Sequence, residues 1–195
     1  MRSLKRTVLF MPLLAAAASW QPALAADALL QKAQTLFKPL PEAAPPMPGV
    51  AATPAMVALG KALYFEPRLS ESHNISCNTC HQIGLGGVDM LPTSIGHNWQ
   101  HGGRNAPTVL NAVFNTAQFW DGRAADLKEQ AVGPIQNPVE MAIDAKHAVQ
   151  MLEGIPGYRP MFAAAFPGAQ PGITFANVGK AIAAFEATLL TPNAP

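Results

Sequence analysis

Very little of this 195-residue chain has the side chains for demanding chemistry. It has two cysteines, Cys77 and Cys80, and His81 directly follows the second. Sixteen residues further on, "PTSIGH" ends at His97. A C-x-x-C pair of the thioredoxin kind requires a βαβ setting, and no run of alternating residues argues for a strand. A zinc site requires two more Cys or His ligands at short spacing, and there is no second C-x-x-C. The remaining reading is C-x-x-C-H as the attachment site of a c-type haem. Placed on one helical turn, the two thiols straddle one edge of a porphyrin, each able to form a thioether to a vinyl-derived carbon. His81 then reaches the iron as proximal ligand. Its second ring nitrogen requires a carbonyl or a water to fix its orientation.

The opposite face of the iron decides the chemistry. A permanent methionine or histidine there gives a six-coordinate electron carrier. An empty or removable sixth position gives a haem that can bind peroxide. By position the candidates are His97, His101, Met90 and Met141. His97 stands out because its short loop, with Gly96 before it, can fold over a haem and be withdrawn. Three further residues would serve beside a reactive haem. Trp120 in "FWDGR" is a core aromatic or an electron conduit. Glu140 in "NPVEM" is a charge favoured at a helix N-terminus or a pocket carboxylate that moves a proton between peroxide oxygens. Gln130 is a surface helix residue or a hydrogen-bond donor to peroxide. His73 and His147 read as solvated.

The elements that must position these residues are helices. Arg2, Lys5 and Arg6 precede an apolar stretch and an A-x-A site at Ala23–Ala25, which reads as a secretory signal peptide over 1–25 and places the product in the periplasm. Without those three residues, ten basic side chains face 12 acidic ones, a net charge of −2. No basic patch points to nucleic acid, and no later segment is apolar enough to span a bilayer. Residues 26–54 read as a short helix (Asp27–Phe37) and a proline-rich arm, and 55–195 as the haem domain. Thr53 and Pro54 signal the start of a helix. Further helices are expected over Pro107–Val113, Ala124–Val132, Ala145–Glu153 and Phe175–Leu190, with Asp144 and Gly154 bounding the fourth. In the last, Val178, Ile182, Phe185 and Leu189 form one apolar stripe. Residues 82–106 and 133–143 read as loops. The fold class is all-α, a cytochrome c-like haem domain with few helices and long loops.

Four stretches carry a resemblance: "LGKALYFEPRLSESHNISCNTCH", "DMLPTSIGH", "GGRNAPTVLNAVFNTAQFWDGRAADLKEQAVGPIQNPVEM" and "AIAAFEATLLTPN". In that order they resemble the bacterial di-haem cytochrome c peroxidases, and specifically the half that carries the peroxidatic haem. The second C-x-x-C-H of that family is absent from these 195 residues. The resemblance implies haem c on Cys77, Cys80 and His81, with His97 as a removable distal ligand. It implies Trp120 between two haems, Gln130 and Glu140 as the distal pair, and Asn105 as a ligand of a calcium ion. It also implies reduction of hydrogen peroxide with electrons from a small cytochrome c or a cupredoxin, and a homodimer. Two other functions stay open: a mono-haem electron-transfer cytochrome with His97 permanently bound, and a relative acting on a protein or organic substrate, as the tryptophylquinone-maturing enzymes do.

Overall fold

A computed structural model describes residues 21–170 and 172–193. The expected signal peptide, apart from residues 21–25, lies outside them. The chain divides into two compact units, Met1–Leu40 and Pro41–Pro195. The first contributes helix α1 (Gln21–Leu36), which exposes Leu29, Leu30 and Leu36. The rest of the described structure belongs to the second unit.

Six helices make up that unit: α2 (Pro54–Tyr64), α3 (Cys77–Cys80), α4 (Leu127–Gln136), α5 (Ala145–Glu153), α6 (Tyr158–Ala165) and α7 (Phe175–Glu186). Among the described residues there is no strand, only isolated bridges such as Ile95–His101. The second unit is thus all-α with long irregular connections, as expected.

The centre of the core is α7. The stripe reading was too narrow, because residues 177–179 and 181–186 are all buried, almost the full circumference. α2 and α4 both pack on it. The crossing with α2 requires Gly60, where a Cβ would lie 1.8 Å from the Ala181 carbonyl oxygen. Tyr64 ends α2 with its ring edge-on to Phe185 at 5.2 Å. On the far side, Ala148, Leu152, Tyr158 and Phe162 join the same core. Buried Glu66 holds this junction: it accepts both arms of the Arg68 fork at 2.6 Å and the Tyr158 hydroxyl at 2.8 Å.

Boundaries follow the capping chemistry. The Thr53 hydroxyl accepts from the Met56 N–H at 3.2 Å, and the Asp144 carboxylate accepts from Lys146 and His147, as expected. Elsewhere the structure corrects the expectation. Pro107–Val113 is not an α-helix, because Asn111 adopts φ 61° and only the short 3-10 turn Ala112–Phe114 follows. The α4 helix starts later than Ala124, because Asp126 caps it by accepting from the Glu129 N–H. It also runs past Gly133 and Pro134, where a loop was expected. The unforeseen α6 begins just after Pro156, and Pro160 lies in its first turn, where no intrahelical N–H is needed.

Candidate haem site

The C-x-x-C-H segment forms one helical turn. The Ser76 N–H donates to Thr79 Oγ1 at 3.0 Å, and the His81 N–H to the Cys77 carbonyl at 2.9 Å. Both cysteines are unpaired, and their thiols share one cavity. Burial pushes the Cys77 thiol far up, and the Glu186 charge adds to this. Burial raises the Cys80 thiol too, against a hydrogen bond with Ser94. Redox-active pairs depend on a lowered thiol pKa, so the disposition is opposite to theirs. Among the described residues, no cluster of three or more Cys, His, Asp or Glu forms around them either.

His81 is held from two sides. Tyr64 donates its hydroxyl to the His81 carbonyl at 2.6 Å. The ring nitrogen Nδ1 lies 3.0 Å from the Pro107 carbonyl. A carbonyl only accepts, so Nδ1 carries the proton and Nε2 keeps its lone pair. Burial holds the His81 pKa below its ordinary value, while the carbonyls of Pro107 and Gly87 pull the other way. The Pro107 segment is itself tied down: Thr108 donates to the Gly86 carbonyl at 2.6 Å, and the Val109 N–H to Gly87 at 3.3 Å.

The cavity encloses about 450 Å³. Ile75, Val109, Ala112, Leu127 and Ala131 give it apolar lining, and Gln130, Asn137 and Glu140 are among its polar lining. α4 supplies Leu127, Gln130, Ala131 and Pro134, spaced at i, i+3, i+4 and i+7, one helical face. The turn after α4 brings in Glu140. Asn137 Nδ2 donates to its Oε1 at 2.8 Å. Burial raises the Glu140 pKa, although the Arg123 charge and the Asn137 bond pull it down. The Arg123 guanidinium lies 3.5 Å over the Phe119 ring and is paired to Asp121.

The distal candidates part company here. Of His97, His101, Met90 and Met141, only Met141 lines the cavity, and it is buried in the core. Met90 is 73% exposed, and exposed His101 has its Nδ1 3.3 Å from the Thr93 hydroxyl. His97 stands next to the lining residue Gly96 without itself lining the cavity. Its N–H donates to the Glu140 carbonyl at 2.7 Å, and its Nδ1 is buried with no partner among the described residues. The backbones touch so closely that a Cβ at Gly96 would lie 2.1 Å from the Val139 oxygen. At the loop tip Asn98 and Trp99 take φ 54° and 62°, a left-handed pair that strains a bulky residue.

Trp120 is no core aromatic. It is 64% exposed and donates Nε1–H to the Asn105 carbonyl at 2.8 Å. Asn105 Nδ2 donates to the Leu91 carbonyl at 2.6 Å, leaving the Oδ1 atom without a protein donor among the described residues. His73 and His147 are exposed.

Comparison with known proteins decides the family. A family model described as di-haem cytochrome c peroxidase matches residues 54–195. The chain belongs to the di-haem cytochrome c peroxidase family. It is 55% identical over 174 residues to a cytochrome c551 peroxidase of Pseudomonas aeruginosa, a match covering 89% of this chain and 50% of the relative. It is 43% identical to the methylamine utilization protein MauG of Methylorubrum extorquens, over 80% of this chain and 44% of the relative. Among solved structures, a MauG-like protein associated with microbial copper homeostasis matches with TM-score 0.73 and 27% identity, over 80% of this chain and 46% of that one. The chain spans half or less of the length of these relatives.

Haem is the cofactor that this family implies, and the residues present fit it. Two unpaired thiols, a neutral imidazole with a free Nε2 and a largely apolar cavity converge on one space. Sequence reasoning passed over Glu186, Tyr64 and Arg123, which also shape that space. For Glu186 a signal existed: it is the only acid in the apolar run "FANVGKAIAAFE". Tyr64 gave none, since its partner His81 lies 17 residues away along the chain, and the local pairing of Arg123 with Asp121 gave no hint that Arg123 lines the cavity.

Proposed function

We propose that this chain is the peroxidatic half of a periplasmic cytochrome c peroxidase, reducing hydrogen peroxide to water with electrons from a small c-type cytochrome or a cupredoxin. The observation that carries this reading is the placing of Glu140 and Gln130 in the same cavity as His81 and the two thiols. A permanent bis-histidine carrier would have no use for that polar pair.

When bound, haem c supplies the iron at which the peroxide O–O bond is split. Cys77 and Cys80 hold the group through thioethers, and His81 Nε2 ligates the iron. Gln130 orients peroxide through its amide. Glu140, steadied by Asn137, takes a proton from one peroxide oxygen and returns it to the other. Burial keeps its proton affinity above that of a solvated carboxylate, which suits the shuttle. His97 is the removable distal ligand. Its unpaired ring nitrogen and the strained loop tip behind it support that reading. Trp120, exposed beside Asn105, is the conduit by which electrons arrive. Asn105 offers Oδ1 as one ligand to calcium. Export through residues 1–25 and a homodimer complete the reading. Among the described residues, no helix is long and apolar enough to cross a membrane.

The test is peroxide-dependent oxidation of a reduced small cytochrome by the haem-loaded protein, joined to a ferric absorption spectrum. Turnover is expected, and His97→Gly is expected to alter the six-coordinate spectrum. An unchanged low-spin spectrum in that variant removes His97 as a ligand. A protein that exchanges electrons but never consumes peroxide is a carrier instead.

A further inference from the structure

One acid in the cavity has no part in the chemistry above. Glu186 is the last residue of α7, lines the cavity and is 6% exposed. No described residue donates a hydrogen bond to its carboxyl, and Oε2 is enclosed without a partner. An unsatisfied buried polar group is costly, and more so when charged. The surroundings offer no cation to offset this. The titratable groups that face it are Tyr64 from α2 and Cys77 from α3. On α4, which packs along α7, Lys128 is engaged by Asp126, while Arg104 and Arg123 further round the cavity are engaged by Asp121. The position at the C-terminal, negative end of a helix disfavours a carboxylate as well.

We propose that Glu186 is a redox-linked proton site: it binds one proton when the haem seated in this cavity gains one electron, and releases it on oxidation. This inference rests on the haem reading. The balance is simple. A one-electron donor, the small redox protein or a chemical reductant, is oxidised. The iron is reduced from ferric to ferrous, and one solvent proton forms an O–H bond on the carboxylate. No other bond changes. The physical cause is Coulombic. An electron added inside a poorly polarisable cavity makes a carboxylate there less favourable than the neutral acid. Linkage then requires the protonated carboxyl to favour the reduced haem by the same factor. Burial already pushes the Glu186 pKa up to about 8, so the exchange falls at mildly alkaline pH rather than in the ordinary carboxylate range. Once Cys77 is a thioether it no longer titrates, and Tyr64 is pushed still further up. Glu140, the other acid lining the cavity, has the Arg123 charge and the Asn137 bond to favour its ionised form. Glu186 has neither, so it is the group that responds.

The experiment is a spectroelectrochemical titration of the haem-loaded protein from neutral to alkaline pH, in the wild type and in Glu186→Gln. The wild-type midpoint potential is expected to be flat at neutral pH. It should then fall with a slope approaching one proton per electron. In Glu186→Gln that sloping segment should vanish. A flat wild-type profile, or a slope that survives in Glu186→Gln, overturns the inference. Should the variant fail to fold, the redox-induced infrared difference spectrum of Glu140→Gln at mildly alkaline pH, with and without ¹³C-glutamate, decides, because Glu186 is then the glutamate left among the described cavity-lining residues. A label-sensitive protonated-carboxyl band that grows on reduction supports the site, and its absence overturns it. A pyridine haemochrome spectrum separates the two readings. Without one c-type haem per chain the haem assignment itself is lost, whereas with it only Glu186 is in question.

Discussion

The two sides of the haem cavity are built to different standards. On the attachment side, His81 and the loops that support it are held, although Glu186 beside Cys77 has no partner among the described residues. Tyr64 and Pro107 clamp His81 from backbone and ring, and Thr108 and Val109 tie the supporting loops together. In the His97 loop, His97 Nδ1 is buried and unpaired among the described residues, and Asn98 and Trp99 share a left-handed tip. Two hydrogen bonds, from the His97 N–H to the Glu140 carbonyl and from Gln100 Nε2 to the Pro138 carbonyl, join the loop to the turn after α4. The contrast has a physical meaning. A saturated hydrogen-bond network fixes one arrangement, while an unsatisfied and strained one leaves a second arrangement within reach. Under the proposed function, the iron would require the first, and a ligand that must leave would require the second.

The comparison can be broken most decisively at the thiols. Replacing Cys77 and Cys80 together by serine should abolish covalent attachment, so that haem separates from the denatured chain in acid solvent. Haem that stays with the polypeptide would end the attachment reading. Next in size is Glu140→Gln on the opposite side. Loss of one acid–base group should lower peroxide turnover about 10²-fold or more, with the haem spectrum largely preserved. An unchanged rate would leave that side without its chemistry.

Smaller effects test the construction itself. Gly96→Ala drives a methyl into the Val139 carbonyl, so the loop must move. It should cost about 1–3 kcal/mol by thermal unfolding. The His97 amide should also exchange its hydrogen faster as its bond to Glu140 is lost. Away from the cavity lining, Glu66 joins Arg68 and Tyr158. Burial works against its ionisation, but the Arg68 fork and the Tyr158 hydroxyl outweigh burial and hold its carboxyl below the ordinary range. A lowered folded-state pKa gives stability that is present above the unfolded value near 4.3 and lost as pH falls through the folded one. Glu66→Gln should therefore cost on the order of 1–3 kcal/mol at neutral pH and less in acid, as read from denaturant midpoints across pH. The smallest change is Tyr64→Phe. It removes one hydroxyl from the His81 carbonyl, about 1 kcal/mol, and should leave the haem attached. A large loss of haem would show that the attachment side has less reserve than its bonding suggests.

Local signals carried much of this protein into view. C-x-x-C-H was enough to propose an attachment site, because its three chemistry-bearing side chains fall within five residues on a single helical turn. Thr53, Pro54 and Asp144 placed helix starts for the same reason, since caps bond within three residues. The errors arose where distant packing overrode local preference. Gly133 and Pro134 look like helix breakers, yet α4 continues through them because one face of it lines the cavity and another packs on α7. α6 hid among prolines whose positions happen to suit a first turn.

What the sequence by itself determined is which groups lie together locally: two thiols and one imidazole on one turn, and helices delimited by their own caps. Only the tertiary structure decided which carbonyl orients His81, which glycine lets the His97 loop touch Glu140, and that Glu186 ends a buried helix inside the cavity without a partner. Those features depend on segments separated by tens of residues. Their energies come from distance, burial and the absence of water, none of which is written in any single stretch of chain.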